Sequence, residues 1–548
     1  MKKYDLIIKG GTVVDGSGNK PYISDIAIVG DKIEHIGTLD GLNAEKIIDA
    51  NGRYVTPGFI DSHSHSDYTL WINPEAHSSV HQGITTEIVG NCGFSMRHNI
   101  KGPFDKAGDG ILCVYDFANK NADIPKGAFA NTLLKMEKMG ASINTAWLCG
   151  HNDLRVIAGL NITDYTQEQF SIMEGFLREA LEAGYIGFST GLEFDPGILS
   201  TPEEVERLAS VAAEYGGIYT SHMRDEGTYI IEAVEEFLSV IRKTKMRGQI
   251  SHLNVKYDNG IPNEYLEKCM NMLKNARKNE NLDVFTDMLS TTYGTGCAQA
   301  VLPPWLYENG WDKAREILES DEGREKVKCD LDRYWRFLGY GQWDRLIRIV
   351  APHMPEVTAM SFDELCRAWN RSPADAFLDV FMKTETIEQA RNIEMVGVMF
   401  KEQTMIDTVV GDDLYLWMSD SYTTVEEGEA RTGNMSDYMG YLYFFTRYVK
   451  ELGVISVEKA VNKATKRVAE HYRLEGRGQL REGYFADINI FSLDNLKINA
   501  TFTDPCKYCS GFDYVIVNGV PVIESRSISR FRRRTHVSQI RRLFPAKN

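Results

Sequence analysis

The chain has 548 residues, of which 43% are hydrophobic and 25% are charged, and its formal net charge is −16. This length can bury a large core, and these fractions are typical of a soluble globular protein. The acidic balance argues against nucleic acid as a partner, and no stretch approaches the roughly 20 uninterrupted apolar residues that a membrane span needs.

Short β-type runs separated by glycine occupy residues 4–56. The far end of the chain repeats this style in two runs, at 486–491 and 514–519. Two β segments at opposite ends of a chain can pair into one small sheet domain.

The segment from Gly58 to His65 reads Gly-Phe-Ile-Asp-Ser-His-Ser-His and follows strand-like sequence at 46–49 and 53–55. Alternate side chains of a strand point to the same face, so His63 and His65 are expected to point the same way. Two imidazoles on one face form half of a metal site. A His-x-His pair alone has a high false-positive rate, so the remaining ligands must come from elsewhere in the chain.

Further candidate ligands follow other β-branched, apolar runs. Cys92 follows the run at 84–89, His222 follows 217–221, His252 follows 248–251, and Asp420 follows 413–418. Five such strand ends, separated by helix-length segments, are what an αβ barrel produces. In that fold the catalytic residues come from the C-terminal ends of several strands.

Helical periodicity is strong at 203–215 and 456–472. The stretch from about 306 to 395 is charged, rich in tryptophan and helical in character, and it is too long for a simple loop. We interpret it as an insertion that lies over the barrel mouth.

Cysteine usage and the first residues bear on the compartment. Nine cysteines are an odd number and do not suggest a disulfide framework. Residues 1–5 contain no long apolar stretch before the first acid, so we expect no secretory signal and a cytoplasmic protein. We expect no nucleic-acid or membrane partner, and the sequence leaves the oligomeric state open, including a homo-oligomer.

These motifs together resemble the amidohydrolase superfamily, in its D-aminoacylase (N-acyl-D-amino-acid deacylase) branch. The resemblance runs from about residue 4 to about residue 525 and rests on blocks at 57–65, 82–93, 187–194, 221–226, 250–252 and 419–420. The block Gly-Asn-Cys-Gly at 90–93 is specific, because a cysteine ligand is unusual within the superfamily.

The resemblance implies an α/β fold, a (β/α)8 TIM-like barrel with a small β-sandwich domain. The terminal segments, 1–56 and 476–548, would form the small domain. The metal-dependent barrel would span 57–475, with the insertion at about 306–395 over its mouth.

The resemblance also implies the metal chemistry. Cys92, His222 and His252 would supply the three protein ligands of a catalytic Zn²⁺, and a thiolate favours zinc over magnesium or manganese. His63 and His65 would build an adjacent second position, with Cys92 able to bridge. The second position is the weaker one in the family, so we expect one tightly bound zinc. Asp420 would be the general base that takes a proton from metal-activated water and passes it to the leaving nitrogen.

Substrate-binding residues are where the chain departs from the family pattern. In the family, a lysine lies two residues after the histidine that corresponds to His252. Here that position is Asn254, and Lys256, two residues further on, could substitute for the lysine. Arg431, eleven residues after Asp420, fits the place of a family arginine that holds the substrate carboxylate. His151 matches a family block and either lines the pocket or has a structural role.

The sequence therefore predicts a zinc-dependent hydrolase that acts on non-peptide C–N (amide) bonds of a small molecule and deacylates N-acyl-D-amino acids. One alternative is a cyclic-amide hydrolase, as in dihydroorotase- or hydantoinase-like relatives. An alternative of another class is a catalytically inactive barrel that acts as a binding protein.

Overall fold

The computed structural model describes residues 3–39, 43–95, 129–160, 165–194, 196–306, 309–331, 335–391, 393–428, 430–502, 504–524 and 527–528. The end of the predicted small domain, residues 529–548, therefore lies outside the described residues.

The described strands, numbered in chain order, are Lys3–Val13 (β1), Tyr22–Val29 (β2), Lys32–Gly37 (β3), Asn43–Asp49 (β4), Tyr54–Pro57 (β5), Phe59–Asp61 (β6), Ile84–Val89 (β7), Asn144–Gly150 (β8), Gly187–Gly191 (β9), Ile218–His222 (β10), Arg247–Ile250 (β11), Val284–Met288 (β12), Tyr293–Cys297 (β13), Leu346–Val350 (β14), Glu394–Val398 (β15), Tyr415–Trp417 (β16), Ile488–Phe491 (β17), Phe512–Val517 (β18), Val520–Glu524 (β19) and Ser527–Ile528 (β20).

The described α-helices are His77–Val80, Phe129–Met139, His151–Ile157, Gln167–Ala183, Pro202–Glu214, Ile230–Thr244, Glu264–Glu280, Trp311–Glu319, Asp321–Lys328, Arg336–Gly339, Pro355–Thr358, Phe362–Trp369, Pro373–Met382, Ile387–Arg391, Glu402–Met405, Ser436–Met439, Val457–Ala464 and Lys466–Tyr472. π-Helical segments occupy Ile406–Val410 and Phe444–Glu451. Short 3₁₀ turns occupy Thr69–Trp71, Gly197–Leu199, Ala298–Val301, Pro304–Leu306, Trp343–Arg345 and Leu493–Asn495. Within the described ranges, no helix is both long and apolar enough to cross a membrane.

Eight parallel strands form the central barrel, in the order β6-β7-β8-β9-β10-β11-β12-β16. The first and last of these strands meet where the backbone N–H of Ser62 donates to the carbonyl of Trp417 at 3.3 Å. Helices connect most neighbouring strands, which is the arrangement that parallel pairing requires. The predicted (β/α)8 barrel is confirmed, and its C-terminal edge is the expected position for functional side chains.

The helix Pro202–Glu214 illustrates how the sequence specifies the barrel's outer layer. Thr201 caps its start by accepting a hydrogen bond from the Glu204 N–H, and proline occupies the first helical position. Val205, Leu208, Ala209, Val211 and Ala212 form its buried face, as the periodicity predicts. Each fully buried leucine or valine contributes on the order of 1.5–3 kcal/mol.

Residues from both ends of the chain share a separate nine-stranded sheet, ordered β20-β19-β18-β17-β5-β1-β2-β3, with β4 also paired to β1. Antiparallel pairing of β5 with β17 joins the N-terminal segment to the C-terminal one. The residue boundaries of the small domain stay predictions.

Between β12 and β16 the chain forms a three-stranded antiparallel sheet, β13-β15-β14, together with several helices. Thr295 and Cys297 of β13 and Glu394 of β15 line a cavity at the barrel's C-terminal edge. The long segment predicted as an insertion therefore forms part of the wall of that cavity.

Two local predictions were wrong in detail. The sequence predicts two separate β runs, one before and one after Gly10, but they form one strand, β1. The strand continues because Gly10 adopts a φ of +66°, and a shift in the pairing register between Ile8 and Gly11 accommodates it. The helix expected over 456–472 is broken at Thr465, whose φ and ψ of −138° and −86° leave the helical region. The Thr465 hydroxyl donates to the Val461 carbonyl, a bond that competes with regular helix geometry.

Candidate metal centre

The C-terminal edge of the barrel brings together five side chains from four strand ends. His63 and His65 follow β6, Cys92 follows β7, His222 ends β10 and His252 follows β11. The strand that presents His63 and His65 is the short β6, whereas the earlier runs at 43–49 and 54–57 belong to the terminal sheet. Sequence reasoning placed those runs directly before the histidine pair, because it could not separate one sheet from the other.

Cys92, His222 and His252 form one compact group of potential ligand atoms. The Nδ1 atom of His222 lies 3.0 Å from the Nε2 atom of His252, and Cys92 Sγ lies 3.5 Å from the same Nε2. These ligand atoms lie within 4.8 Å of one another, which allows a single ion to contact all three.

A second group consists of His63, His65, Cys92 and Asp420. Asp420 Oδ1 lies 3.3 Å from the Nε2 atom of His63 and 3.2 Å from that of His65. Cys92 Sγ lies 3.3 Å from His63 Nε2, so the thiol belongs to both groups. These two groups of potential ligand atoms are adjacent and share one sulfur, and Glu193, His222 and Glu226 form a third group among the described residues.

In three of the histidines, the ring nitrogen that faces away from the two groups of potential ligand atoms lies within hydrogen-bond distance of a carboxylate. Such pairs fix the tautomer and the orientation of a metal-binding imidazole. The pairs are His222 Nε2 with Glu193 at 2.9 Å, His252 Nδ1 with Glu226 at 2.5 Å, and His63 Nδ1 with Asp287 at 3.2 Å.

Below the histidine pair, the buried carboxyl of Asp61 links the first barrel strand, β6, to the segment after the last one, β16. It accepts hydrogen bonds from the backbone N–H of His63 at 3.2 Å and of Ser419 at 3.0 Å, and the Ser419 hydroxyl also donates to it. Burial and the nearby Glu87 raise the pKa of Asp61 to about 8. Asp61 therefore fixes the backbone after β6, which carries His63, and the backbone after β16, which carries Asp420.

Strained backbone marks the same residues. Cys92, His252 and Asp420 adopt left-handed φ values of 52°, 38° and 51°. Non-glycine residues rarely adopt this conformation, and the strain is held by the surrounding structure at functional sites.

The electrostatics favour the ligand form of the thiol. Burial alone would raise the pKa of Cys92, but the charge on His63 and hydrogen bonds from His222, His252 and His63 bring it well below its usual value. Burial likewise opposes ionisation of Asp420, and His63 and His65 reverse that effect and lower its pKa well below its usual value. A thiolate, imidazole nitrogens and a carboxylate at these distances fit a zinc ion.

The cavity in front of these groups has largely apolar walls. The described lining includes His65, Cys92, His222, His252 and Asp420 on one side, and Phe94, Phe194, Met288, Trp335, Met399 and Phe400 around them. The Phe194 ring packs against His222 with ring centroids 4.2 Å apart. A small organic molecule that enters the cavity therefore meets a polar floor and apolar sides.

The three residues predicted to bind substrate lie outside the described cavity lining. His151 is fully buried, with its Nε2 atom 2.7 Å from Glu204, which also accepts from Arg155. Lys256 is buried, with Nζ 3.8 Å from Glu226. Their roles toward substrate stay predictions.

Arg431 is exposed on the surface, in a turn where its N–H donates to the Gly428 carbonyl. Because this guanidinium is not among the described residues that line the cavity, its position argues against a direct contact with substrate. Its assignment as carboxylate anchor stays a prediction.

Sequence reasoning gave no role to several residues that the fold brings to the site. Asp287 lies in β12, so the strand-end rule that located the other residues could have identified it. Glu193 and Glu226 lie in matched sequence blocks but carry no spacing that indicates a pairing with histidine. Glu394 lies in the inserted sheet, and no local pattern indicates that it reaches the cavity.

The sequence pattern of the Amidohydrolase family matches residues 46–314 and 425–523 of the chain. The chain belongs to this amidohydrolase family. It is therefore a hydrolase that acts on amide bonds.

Nearly the full length of the chain is similar to a D-aminoacylase and to an N-acyl-D-glutamate deacylase. D-aminoacylase from Alcaligenes xylosoxydans xylosoxydans is 28% identical over 538 residues, which cover 96% of both chains. N-acyl-D-glutamate deacylase from the same organism is 29% identical over 533 residues, which cover 95% of this chain and 94% of the relative. These relatives confirm the predicted resemblance to the D-aminoacylase branch.

Solved structures agree with the fold. The crystal structure of a D-aminoacylase aligns with a TM-score of 0.75 at 25% identity, covering 96% of this chain and 98% of the other. N-acyl-D-glutamate deacylase from Bordetella bronchiseptica, complexed with zinc and a phosphonate inhibitor, aligns with a TM-score of 0.76 at 24% identity and the same coverage. The barrel and its accompanying sheet are thus a known amidohydrolase architecture.

We expect His222→Ala to remove the tightly bound metal and the hydrolytic activity, because it deletes one of three converging ligand atoms. Elemental analysis checks this, with close to one zinc per chain expected in the unchanged protein. His35→Ala is the control, since His35 is exposed and pairs with Glu482 on the terminal sheet. Active protein that contains no transition metal would contradict the assignment.

A second prediction concerns the carboxylate behind His252. Glu226→Gln should weaken metal binding by about 10–100-fold, because the neutral amide no longer fixes the imidazole or raises its basicity. Titration with a competing chelator measures the affinity. Glu236→Gln is the matched control, since Glu236 pairs with Arg224 at 2.9 Å outside the ligand groups. Equal affinity in the two variants would show that Glu226 does not support the metal.

Proposed function

We propose that this chain is a zinc-dependent amidohydrolase that deacylates N-acyl-D-amino acids. The observation that carries the proposal is that Cys92 belongs to two adjacent groups of potential ligands at one cavity, one with His222 and His252 and one with His63, His65 and Asp420. The substrate class follows the relatives, which include a D-aminoacylase, an N-acyl-D-glutamate deacylase and an N-acyl-D-aspartate deacylase.

We assign the tightly bound zinc to Cys92, His222 and His252, and a second, weaker position to His63 and His65. A zinc ion held by the first group would have three protein ligands and one open position, which is the pattern of catalytic zinc. A zinc ion there would polarise the amide carbonyl and lower the pKa of a water to about 7. In a similar D-aminoacylase of known structure, the binuclear metal centre shows one-metal activation and second-metal attenuation, which supports one tight position here.

Asp420 would act as the general base. Its carboxylate lies at the cavity floor beside the candidate ligands, and its backbone N–H donates to the His63 carbonyl at 3.1 Å, where the Asp420 backbone is strained. Burial opposes ionisation, but His63 and His65 lower the pKa of Asp420 well below its usual value, which favours the carboxylate form. From this position it can take a proton from the attacking water and return it to the leaving nitrogen. His63 and His65 would orient the carboxylate for both steps.

We expect Asp420→Asn to retain the tight zinc and to lose about 10²–10⁴-fold in kcat, because the amide keeps the shape of the side chain but cannot accept the proton. Stopped assays of acyl release together with elemental analysis measure both effects. Asp407→Asn is the control, because Asp407 is exposed and accepts a hydrogen bond from Gln403. A loss of only a few fold would show that the proton is transferred elsewhere.

The stereochemical preference can be tested with the unchanged enzyme. We expect kcat/KM for an N-acetyl-D-amino acid to exceed that of its L isomer by about tenfold or more, a difference of about 1.4 kcal/mol. A rigid cavity that fixes the amide carbon at the ligands accepts the α-substituent on one side only. Acyl release and ring opening of a hydantoin are measured in parallel, and ring opening without acyl release would favour the cyclic-amide alternative.

A further inference from the structure

Glu394 is the one carboxylate that the inserted sheet contributes to the described cavity lining. It is the first residue of β15, the central strand of that sheet, where it is paired with Cys297 on one side and Val350 on the other. Cys297 lines the same cavity. Pairing on both sides fixes the backbone of Glu394, so its side chain has a defined origin at the cavity wall.

The Glu394 carboxylate has no hydrogen bond or ion pair among the described residues, unlike other carboxylates in the cavity. Glu226 pairs with His252, and Asp420 pairs with His63 and His65. Burial alone raises the pKa of Glu394 to about 7, which reflects a carboxyl without a nearby cation. Glu394 is half-buried at the cavity wall. A partly desolvated carboxylate without a cationic partner costs free energy, so packing alone does not explain its presence.

The surroundings of Glu394 are acidic and hydroxyl-rich. Burial and the proximity of Glu394 raise the pKa of Tyr422, which also lines the cavity. Asp437 lies behind them, and burial raises its pKa to about 8, with Glu394 contributing. The described cavity lining contains no arginine or lysine that would offset this charge.

We propose that Glu394 selects substrates that carry a cationic group at the end of an apolar stem, namely N-acyl derivatives of basic D-amino acids. This inference rests on the proposed deacylase function and specifies the side chain that the site accepts. Apolar walls that include Met288 and Phe400 suit the methylene stem, and the carboxylate suits an ammonium or guanidinium at its tip. An acidic side chain would instead meet like charge, in contrast to what the names of the glutamate and aspartate deacylases indicate for those relatives.

The test compares three substrates that share the acyl group and differ in the end of the side chain: Nα-acetyl-D-lysine, N-acetyl-D-norleucine and N-acetyl-D-glutamate. For the unchanged enzyme, kcat/KM for the lysine derivative should exceed that for the norleucine derivative at least about tenfold. The kcat/KM for the glutamate derivative should be lower than that for the norleucine derivative. Equal values for lysine and norleucine would overturn the inference while leaving the deacylase function intact. If no acyl-D-amino acid is hydrolysed, the proposed function fails and the inference fails with it.

The Glu394→Gln variant then assigns the selectivity to this residue. We expect the lysine-to-norleucine ratio to fall to within about threefold while the zinc content stays unchanged, since the amide keeps the shape but loses the charge. Glu319→Gln, at an exposed helix end of the insertion, is the control. A preserved ratio in folded, zinc-loaded Glu394→Gln would overturn the assignment. If that variant does not fold, the substrate comparison in the unchanged enzyme still decides the inference.

Discussion

The contact between the Cys92 sulfur and the surrounding imidazoles is the interaction on which the rest of the site depends. One sulfur belongs to both ligand groups, so the ends of β6, β7, β10 and β11 must converge within a few ångströms of it. A closed, tilted sheet brings such non-adjacent strand ends to one edge of the barrel. Glycines make the approach feasible: a side chain at Gly90 or Gly93 would collide with the backbone of Leu148 or Gly191.

This convergence places several imidazoles and several acidic groups close together in a buried space. Their burial is offset because groups of opposite charge lie next to one another. Each imidazole has a carboxylate or the thiolate beside it, and each of those anions has an imidazole in return. Below these groups, the Asp61 carboxyl likewise accepts hydrogen bonds from backbone N–H groups that follow the first and the last barrel strand. Contacts within the protein therefore hold the candidate ligands in place, which is what preorganisation of a catalytic site requires.

The parts of this site that the sequence predicts are those that local pattern determines. Cys92, His222, His252 and Asp420 each follow a recognisable strand, so the fold rule alone brings them together. Partners that meet only through tertiary packing are not visible in this way. Nothing near His151 indicates that Glu204, 53 residues away, pairs with it in the core. Arg431 has a plausible sequence spacing, but the turn that carries it faces outward.

The wall of the cavity has two origins in the chain, and this has a consequence for how such a protein can diversify. The candidate ligands lie on the barrel, whereas Thr295, Cys297 and Glu394 lie on an antiparallel sheet that, among the strands the structure describes, pairs with none of the barrel strands. Substitutions in that sheet can accumulate without disturbing the strand register that holds the metal ligands. Catalysis and substrate specificity can therefore evolve separately, so descendants of this protein can change substrate while they keep the same catalytic residues.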